Sequence, residues 1–254
     1  MADRLEVCGI SKNFGALSVA SNVTFGLAAG DRTALIGPNG AGKATIVNMI
    51  TGVTAPSAGD IRLDGRSIVR MPQHERVRAG IARTFQINRL FRDLSVEDNI
   101  RMAVLQQQRC SWQVWTASGS EAAIVGAVDR VLAMLELQSA RNKLVRTLAY
   151  GEQRLVEIAL ALALEPRVLL LDEPAAGVPK SESSIVMDAI AALPPGLAVL
   201  LIEHDMDLVF RFARRVIVLA SGQLLASGSN REIAADERVK QLYFGRGHDG
   251  APVH

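Results

Sequence analysis

The sequence predicts an α/β fold with a mostly parallel sheet, and three observations predict it. Short apolar runs alternate with helical patterns over much of the chain, the order that parallel sheets require. A glycine-rich turn at residues 37–42 joins one such run to a helix. The apolar run 168–171 stops abruptly on two carboxylates, as a strand buried on both faces does at the edge of its sheet.

The elements follow in order. Residues 22–27 and Arg32–Ile36 read as strands. From Lys43 to Thr51, apolar Ile46, Val47 and Ile50 fall at helical spacing. Asp64-Gly65, after Ile61-Arg62-Leu63, is a hairpin turn signal. Between Ser95 and Leu137 helical signals dominate. Ser95 is an N-cap with acidic Glu97 and Asp98 in the first turn. Ser120 to Leu137 carries Ile124, Val128, Val131, Leu132 and Leu135 on one stripe. A further helix follows Gly151. The strand at 168–171 comes next, then a helix over 181–192 stopped by Pro194-Pro195, then strands at 197–202 and 215–219. The expected core is drawn from both ends of the chain, about 1–86 and 151–245, with a helical insert at about 87–150 and a loosely ordered tail at 246–254.

Composition narrows the function. The 254 residues suffice for one large domain or two small ones, and 49% hydrophobic with 21% charged residues predicts a packed core. Lys plus Arg total 28 against 26 Asp plus Glu, a net charge of +2, which argues against general nucleic-acid binding. The longest apolar run, 158–164, lies between Glu157 and Glu165, so no membrane span is expected. The segment MADRLEVCG lacks the apolar stretch of a secretory signal. Cys8 and Cys110 make no disulfide framework and read as small buried hydrophobes of a reducing compartment.

Two segments carry chemistry. Gly37-Pro38-Asn39-Gly40-Ala41-Gly42-Lys43-Ala44-Thr45 follows the strand Ala34-Leu35-Ile36 and opens a helix, the context of the phosphate-binding P-loop. Its glycines let successive N–H groups face one anion, and the helix N-terminus adds its positive end. Lys43 is placed to reach the β- and γ-phosphates. The pattern departs at Ala44, where Ser or Thr supplies a hydroxyl to Mg²⁺. Thr45 points about 100° away and cannot replace it, whereas a water can. At the second segment, Val168-Leu169-Leu170-Leu171-Asp172-Glu173, Asp172 suits a Mg²⁺ shell and Glu173 suits polarising a water.

Between them lies Leu148-Ala149-Tyr150-Gly151-Glu152-Gln153-Arg154, which resembles the signature of ABC ATPases. The resemblance spans nearly the whole chain and extends to Phe14-Gly15-Ala16-Leu17, ARTFQINRLFRDLSVEDNI, LDEPAAG and IEHDMDLVF. It is similar above all to ATP-binding subunits of branched-chain amino acid importers with the longer helical insert. That implies a P-loop NTPase core with a mostly parallel sheet, an antiparallel β subdomain and the helical insert. It also implies ATP and Mg²⁺ as ligands. Phe14 would stack on adenine. Gln86 would touch Mg²⁺ or water and report to the membrane subunits. Ala149, Tyr150, Gly151 and Glu152 would meet the γ-phosphate held by a partner ATPase. His204, before a capping Asp205, would be the switch histidine. Arg89, Leu90 and Phe91 are candidates for the permease contact, or else insert core. Arg154 reads as a solvated helix charge, and His74, His248 and His254 as surface residues.

The same resemblance implies partners: two transmembrane permease subunits, a second ATPase subunit, indirectly an extracellular or periplasmic binding protein, and no nucleic acid. The chain would sit peripherally on the cytoplasmic face of the membrane. Ala44, Ala149 in place of the signature serine, and Pro179 in place of an aspartate are departures from the family pattern. A homodimer would lack both hydroxyls in both sites, so a heterodimer with an intact ATPase is the favoured pairing. Two alternatives stand beside the importer reading: a nucleotide-binding subunit with little hydrolysis of its own, and a lipid or lipopolysaccharide export ATPase.

Overall fold

The computed structural model describes residues 3–84, 90–107 and 118–244. The chain divides into two compact units, Met1–Met71 with Val199–His254, and Pro72–Ala198.

The first unit begins with a long hairpin, β1 (Asp3–Phe14) and β2 (Leu17–Ala28), paired antiparallel so that Phe14 faces Leu17. Alternation along both strands puts Leu5, Val7 and Ile10, and Val23, Phe25 and Leu27, into one core. β3 (Arg32–Ile36) is buried throughout and leads to α1 (Lys43–Thr51), with the bounds the sequence predicts. β4 (Ala58–Leu63) and β5 (Arg66–Ser67) flank the predicted turn at Asp64 and Gly65, whose φ values of 49 and 77 are those of a tight hairpin turn. The antiparallel sheet runs β2-β1-β4-β5.

In the second unit, α2 (Gln73–Ala79) precedes β6 (Ile81–Arg83). α3 (Val96–Gln107) starts at Ser95, whose hydroxyl accepts the Asp98 N–H at 3.0 Å. α4 (Ser118–Met134) ends before the predicted Leu137, because Glu136 turns left-handed at φ 56. Arg141 clamps these helices, reaching Glu97 and Asp129 at 2.6 Å each, and its guanidinium holds the Glu97 carboxyl below the usual range. α5 (Tyr150–Leu162), β7 (Val168–Asp172) and α6 (Lys180–Ala191) complete the unit. β6 and β7 are parallel neighbours, Arg83 opposite Leu170.

The chain returns to the first unit through β8 (Ala198–Ile202), α7 (Met206–Phe212), β9 (Arg215–Ala220), β10 (Gln223–Gly228), α8 (Asn230–Ala235) and α9 (Glu237–Phe244). β3 lies parallel to both β8 and β9, and β10 is antiparallel to β9. Among the described residues no helix is long and apolar enough to cross a membrane.

Candidate functional site

In the first unit the glycine turn is shaped by what surrounds it. Gly42 is the N-cap of α1 at φ 98, and a Cβ there would lie 2.7 Å from the Val19 carbonyl oxygen. Glycine is required on both counts, conformation and contact. No side chain caps α1, so its leading N–H groups and its positive end face the turn. Ala41 N–H donates to the Pro38 carbonyl, and Gly222 N–H to the Ala41 carbonyl, each at 3.1 Å. The first bond closes the turn on itself, and the second pegs it to the segment after β9. The Lys43 ammonium folds back over it, donating to the Gly37 and Pro38 carbonyls at 2.6 and 3.2 Å. The result is an anion cradle with a cation at its rim, comprising Gly37, Pro38, Asn39, Gly40, Ala41, Gly42 and Lys43. The Ala44 methyl is exposed and Thr45 half-buried, one helical step apart.

β3 and β8 are parallel neighbours with Leu35 opposite Ile202, so the cradle and His204 leave the sheet at the same edge. Glu203 is buried, and its Oε2 accepts the His204 N–H at 3.1 Å and lies 3.7 Å from Nδ1. The imidazole itself is exposed. Asp205 caps α7 by accepting from the Asp207 and Leu208 N–H groups, as predicted. Sequence reasoning missed Glu203, although a carboxylate directly after a fully apolar strand is the pattern that singled out Asp172. Phe14 is 54% exposed at the end of its strand, which removes the core-aromatic alternative, and the Lys12 ammonium lies 5.0 Å from the ring centroid.

In the second unit the strand end is held tightly. Thr84 N–H donates to the Leu170 carbonyl at 3.0 Å, and the Thr84 hydroxyl accepts the Asp172 N–H at 3.2 Å. Asp172 is buried and ion-paired with Arg83. Glu173 follows at φ 46, a left-handed turn that ends the strand and leaves the side chain half-buried. Ala149, exposed, is the N-cap of α5. A methyl group accepts no hydrogen bond, so the cap has only its reciprocal half, Glu152 Oε2 accepting the Ala149 N–H at 3.0 Å. The Gly151 N–H is taken by Glu182 of α6 at 2.7 Å, a partner that the sequence did not signal. Tyr150 is half-buried, with its hydroxyl beside Arg154 at 3.3 Å. Pro179 is the N-cap of α6.

Two expectations, on Arg154 and Cys8, need correction, and one open choice, at Leu90 and Phe91, divides between its alternatives. Arg154 is not solvated: it is buried and donates to Glu157, to the Tyr150 hydroxyl and to the Ala176 carbonyl. Leu90 is buried while Phe91 is exposed, so only one of the pair offers a surface. Cys8 is half-exposed, because its position on β1 faces away from the apolar side that Leu5 and Val7 fill. His74 is a surface residue as expected, with Glu75 at 4.0 Å. Gln86, Arg89, Cys110, His248 and His254 lie outside the described residues. Among the described residues no cluster of three His, Cys, Asp or Glu is arranged to hold a metal.

The model of the ABC transporter family matches residues 20–176. The high-affinity branched-chain amino acid transport ATP-binding protein LivG of Escherichia coli K12 is 38% identical over 249 residues, covering 95% of this chain and 97% of that protein. BraF of Pseudomonas aeruginosa, described in the same words, is 36% identical over 248 residues, with 95% and 97% covered. The lipopolysaccharide export system ATP-binding protein LptB of Acidithiobacillus ferridurans is 34% identical, with 96% and 98% covered. Among solved structures, the ADP conformation of MJ1267, an ATP-binding cassette of an ABC transporter, superposes with a TM-score of 0.82 at 26% identity, covering 97% of this chain and all of that one. With this match over more than half its length and these relatives over nearly all of it, the chain belongs to the ABC transporter family.

Proposed function

We propose that this chain is the ATP-binding, ATP-hydrolysing subunit of an importer for branched-chain or related amino acids. The observation that carries the reading is the Lys43 ammonium seated over a glycine turn at the uncapped N-terminus of α1. That arrangement fits a triphosphate: backbone donors for the oxygens, a helix dipole and one mobile cation. Membership of the family and the names of relatives such as LivG and BraF supply the transport reaction.

The roles follow residue by residue. Phe14 offers an open ring to adenine. Lys43 neutralises the β- and γ-phosphates. Glu173 polarises the attacking water. His204, steadied by Glu203, contacts the γ-phosphate. Gln86 links the nucleotide to the permease. Ala149, Tyr150, Gly151 and Glu152 face the nucleotide held by the partner ATPase. When bound, Mg²⁺ neutralises phosphate charge, and Asp172 is the carboxylate that would hold it. Its burial at the end of β7, paired with the Arg83 guanidinium, supports that reading. Ala44 contributes no ligand.

The missing hydroxyls at Ala44 and Ala149 favour a heterodimer with an intact ATPase, docked on two permease subunits at the cytoplasmic face of the membrane. The test is ATP turnover and leucine uptake by the assembled complex. Lys43→Ala should abolish both, and Glu173→Gln should abolish turnover while nucleotide binding remains. Turnover without amino acid uptake would move the reading to export. Failure of the purified chain to bind ATP–Mg²⁺ would remove it.

A further inference from the structure

Arg83 stands among two buried carboxylates. Its Nη2 lies 2.5 Å from Asp172 Oδ2, with the two side chains 16% and 6% exposed. Arg83 also lines a cavity of about 220 Å³, together with Thr84, Leu90, Phe91 and Glu157. The Glu157 side chain is 9% exposed; its Oε2 pairs with Arg154 at 2.6 Å, and its Oε1 has no hydrogen-bond partner among the described residues. A buried carboxylate oxygen without a donor is costly, and such an atom calls for a state in which it is satisfied.

We propose that Arg83 is a two-position counter-ion, paired with Asp172 while no divalent cation is bound and turning through the cavity to Glu157 Oε1 when Asp172 takes one. The inference rests on the reading of Asp172 as the Mg²⁺ carboxylate. Three features support it. One buried carboxylate does not hold a guanidinium and a metal ion together without strong repulsion between the cations. The cavity that Arg83 and Glu157 share is room for the side chain to turn. Glu157 already has its other oxygen fixed by Arg154, so its free oxygen is held in one place to receive a donor. Arg83 is then a positioning residue: it holds the Asp172 carboxylate in place before the metal arrives, and metal binding reorders the cavity wall at Leu90 and Phe91. By linkage, an occupant of that cavity that favours one seat of Arg83 changes metal affinity by the same factor as the metal changes the occupant's own affinity.

The test uses the full chain with saturating ADP and follows the thermal midpoint as Mg²⁺ is titrated, giving a half-saturating Mg²⁺ concentration. Arg83→Gln removes the competing cation and lowers that concentration about three- to tenfold. Glu157→Gln, which keeps an acceptor for Arg154, removes the second seat and raises it by a similar factor. Arg83→Lys keeps the charge and shifts the concentration downward by less; a shift as large as that of the glutamine variant would mean that the charge is not what competes. Shifts of the two glutamine variants in the same direction, or no shift in either, overturn the two-position model, since a purely structural pair has no reason to move metal affinity in opposite senses. Asp172→Asn separates the two levels: it abolishes the Mg²⁺ dependence if Asp172 is the metal carboxylate, and an unchanged dependence removes both that assignment and this inference.

Discussion

The Arg154 guanidinium lies 2.6 Å from the Glu157 carboxylate one turn away on α5, with both side chains almost wholly buried. Burial pushes the Glu157 carboxyl up, against the pull of Arg154. Breaking such a pair leaves one charge stranded. Arg154→Leu should therefore cost about 3–5 kcal/mol in urea unfolding, and adding Glu157→Leu should restore much of the loss. Equal losses for the single and the double variant would show that packing around Arg154, and not its charge, is what matters.

The incomplete cap at Ala149 makes a prediction of opposite sign. Ala149→Ser supplies the missing acceptor and should stabilise the chain by about 0.5–2 kcal/mol. The gain should persist in a Glu152→Ala background, because Glu152 supplies only the reciprocal half of the cap, which is already present with alanine at 149. A differential scanning calorimetry comparison of the four chains reads this directly.

Ala44 leaves the position after Lys43 without a hydroxyl. Ala44→Thr should raise ATP turnover in the assembled complex, by up to about 10²-fold if the group acts as other preorganised donors do, and should lower the Mg²⁺ requirement. Unchanged turnover would mean that a water already fills the role.

Gly42 holds φ 98 with the Val19 carbonyl against it. Gly42→Ala forces strain of about 1–3 kcal/mol into the turn that Lys43 spans. Nucleotide affinity should fall more than global stability, which equilibrium dialysis and a thermal scan separate. Equal falls would place the damage in the fold and not in the cradle.

Tyr243 on α9 gives an alkaline signature. Burial pushes its phenol from 10.0 up to about 12. Below pH 10 the group is neutral in both states and its contribution is complete. Between about pH 10 and 12 the unfolded phenol ionises and the folded one does not, so stability falls as pH rises. Tyr243→Phe should flatten that fall relative to the unaltered chain in unfolding titrations. Parallel curves for the two chains would show that the phenol does not differ between folded and unfolded states.

Much of the site was legible because its residues sit next to one another in the chain. The turn 37–42, Lys43, the Asp172-Glu173 pair and the Asp205 cap are local patterns, and local backbone chemistry decides them. Arg32–Ile36 and Lys43–Thr51 were readable to the residue for the same reason. The short β6 was not, since three residues carry no periodicity, and β10 was hidden by its small and polar residues.

By itself the sequence determined the α/β class, the phosphate cradle and the absence of hydroxyls at Ala44 and Ala149, because those follow from residue identity and spacing. Only the tertiary structure decided that Arg154 is buried, that Glu182 takes the Gly151 N–H, and that Arg83 pairs with Asp172 across 89 positions. Those partners come from different strands and helices. Which charge meets which carboxylate is set by packing that brings distant segments together, and no local pattern encodes it.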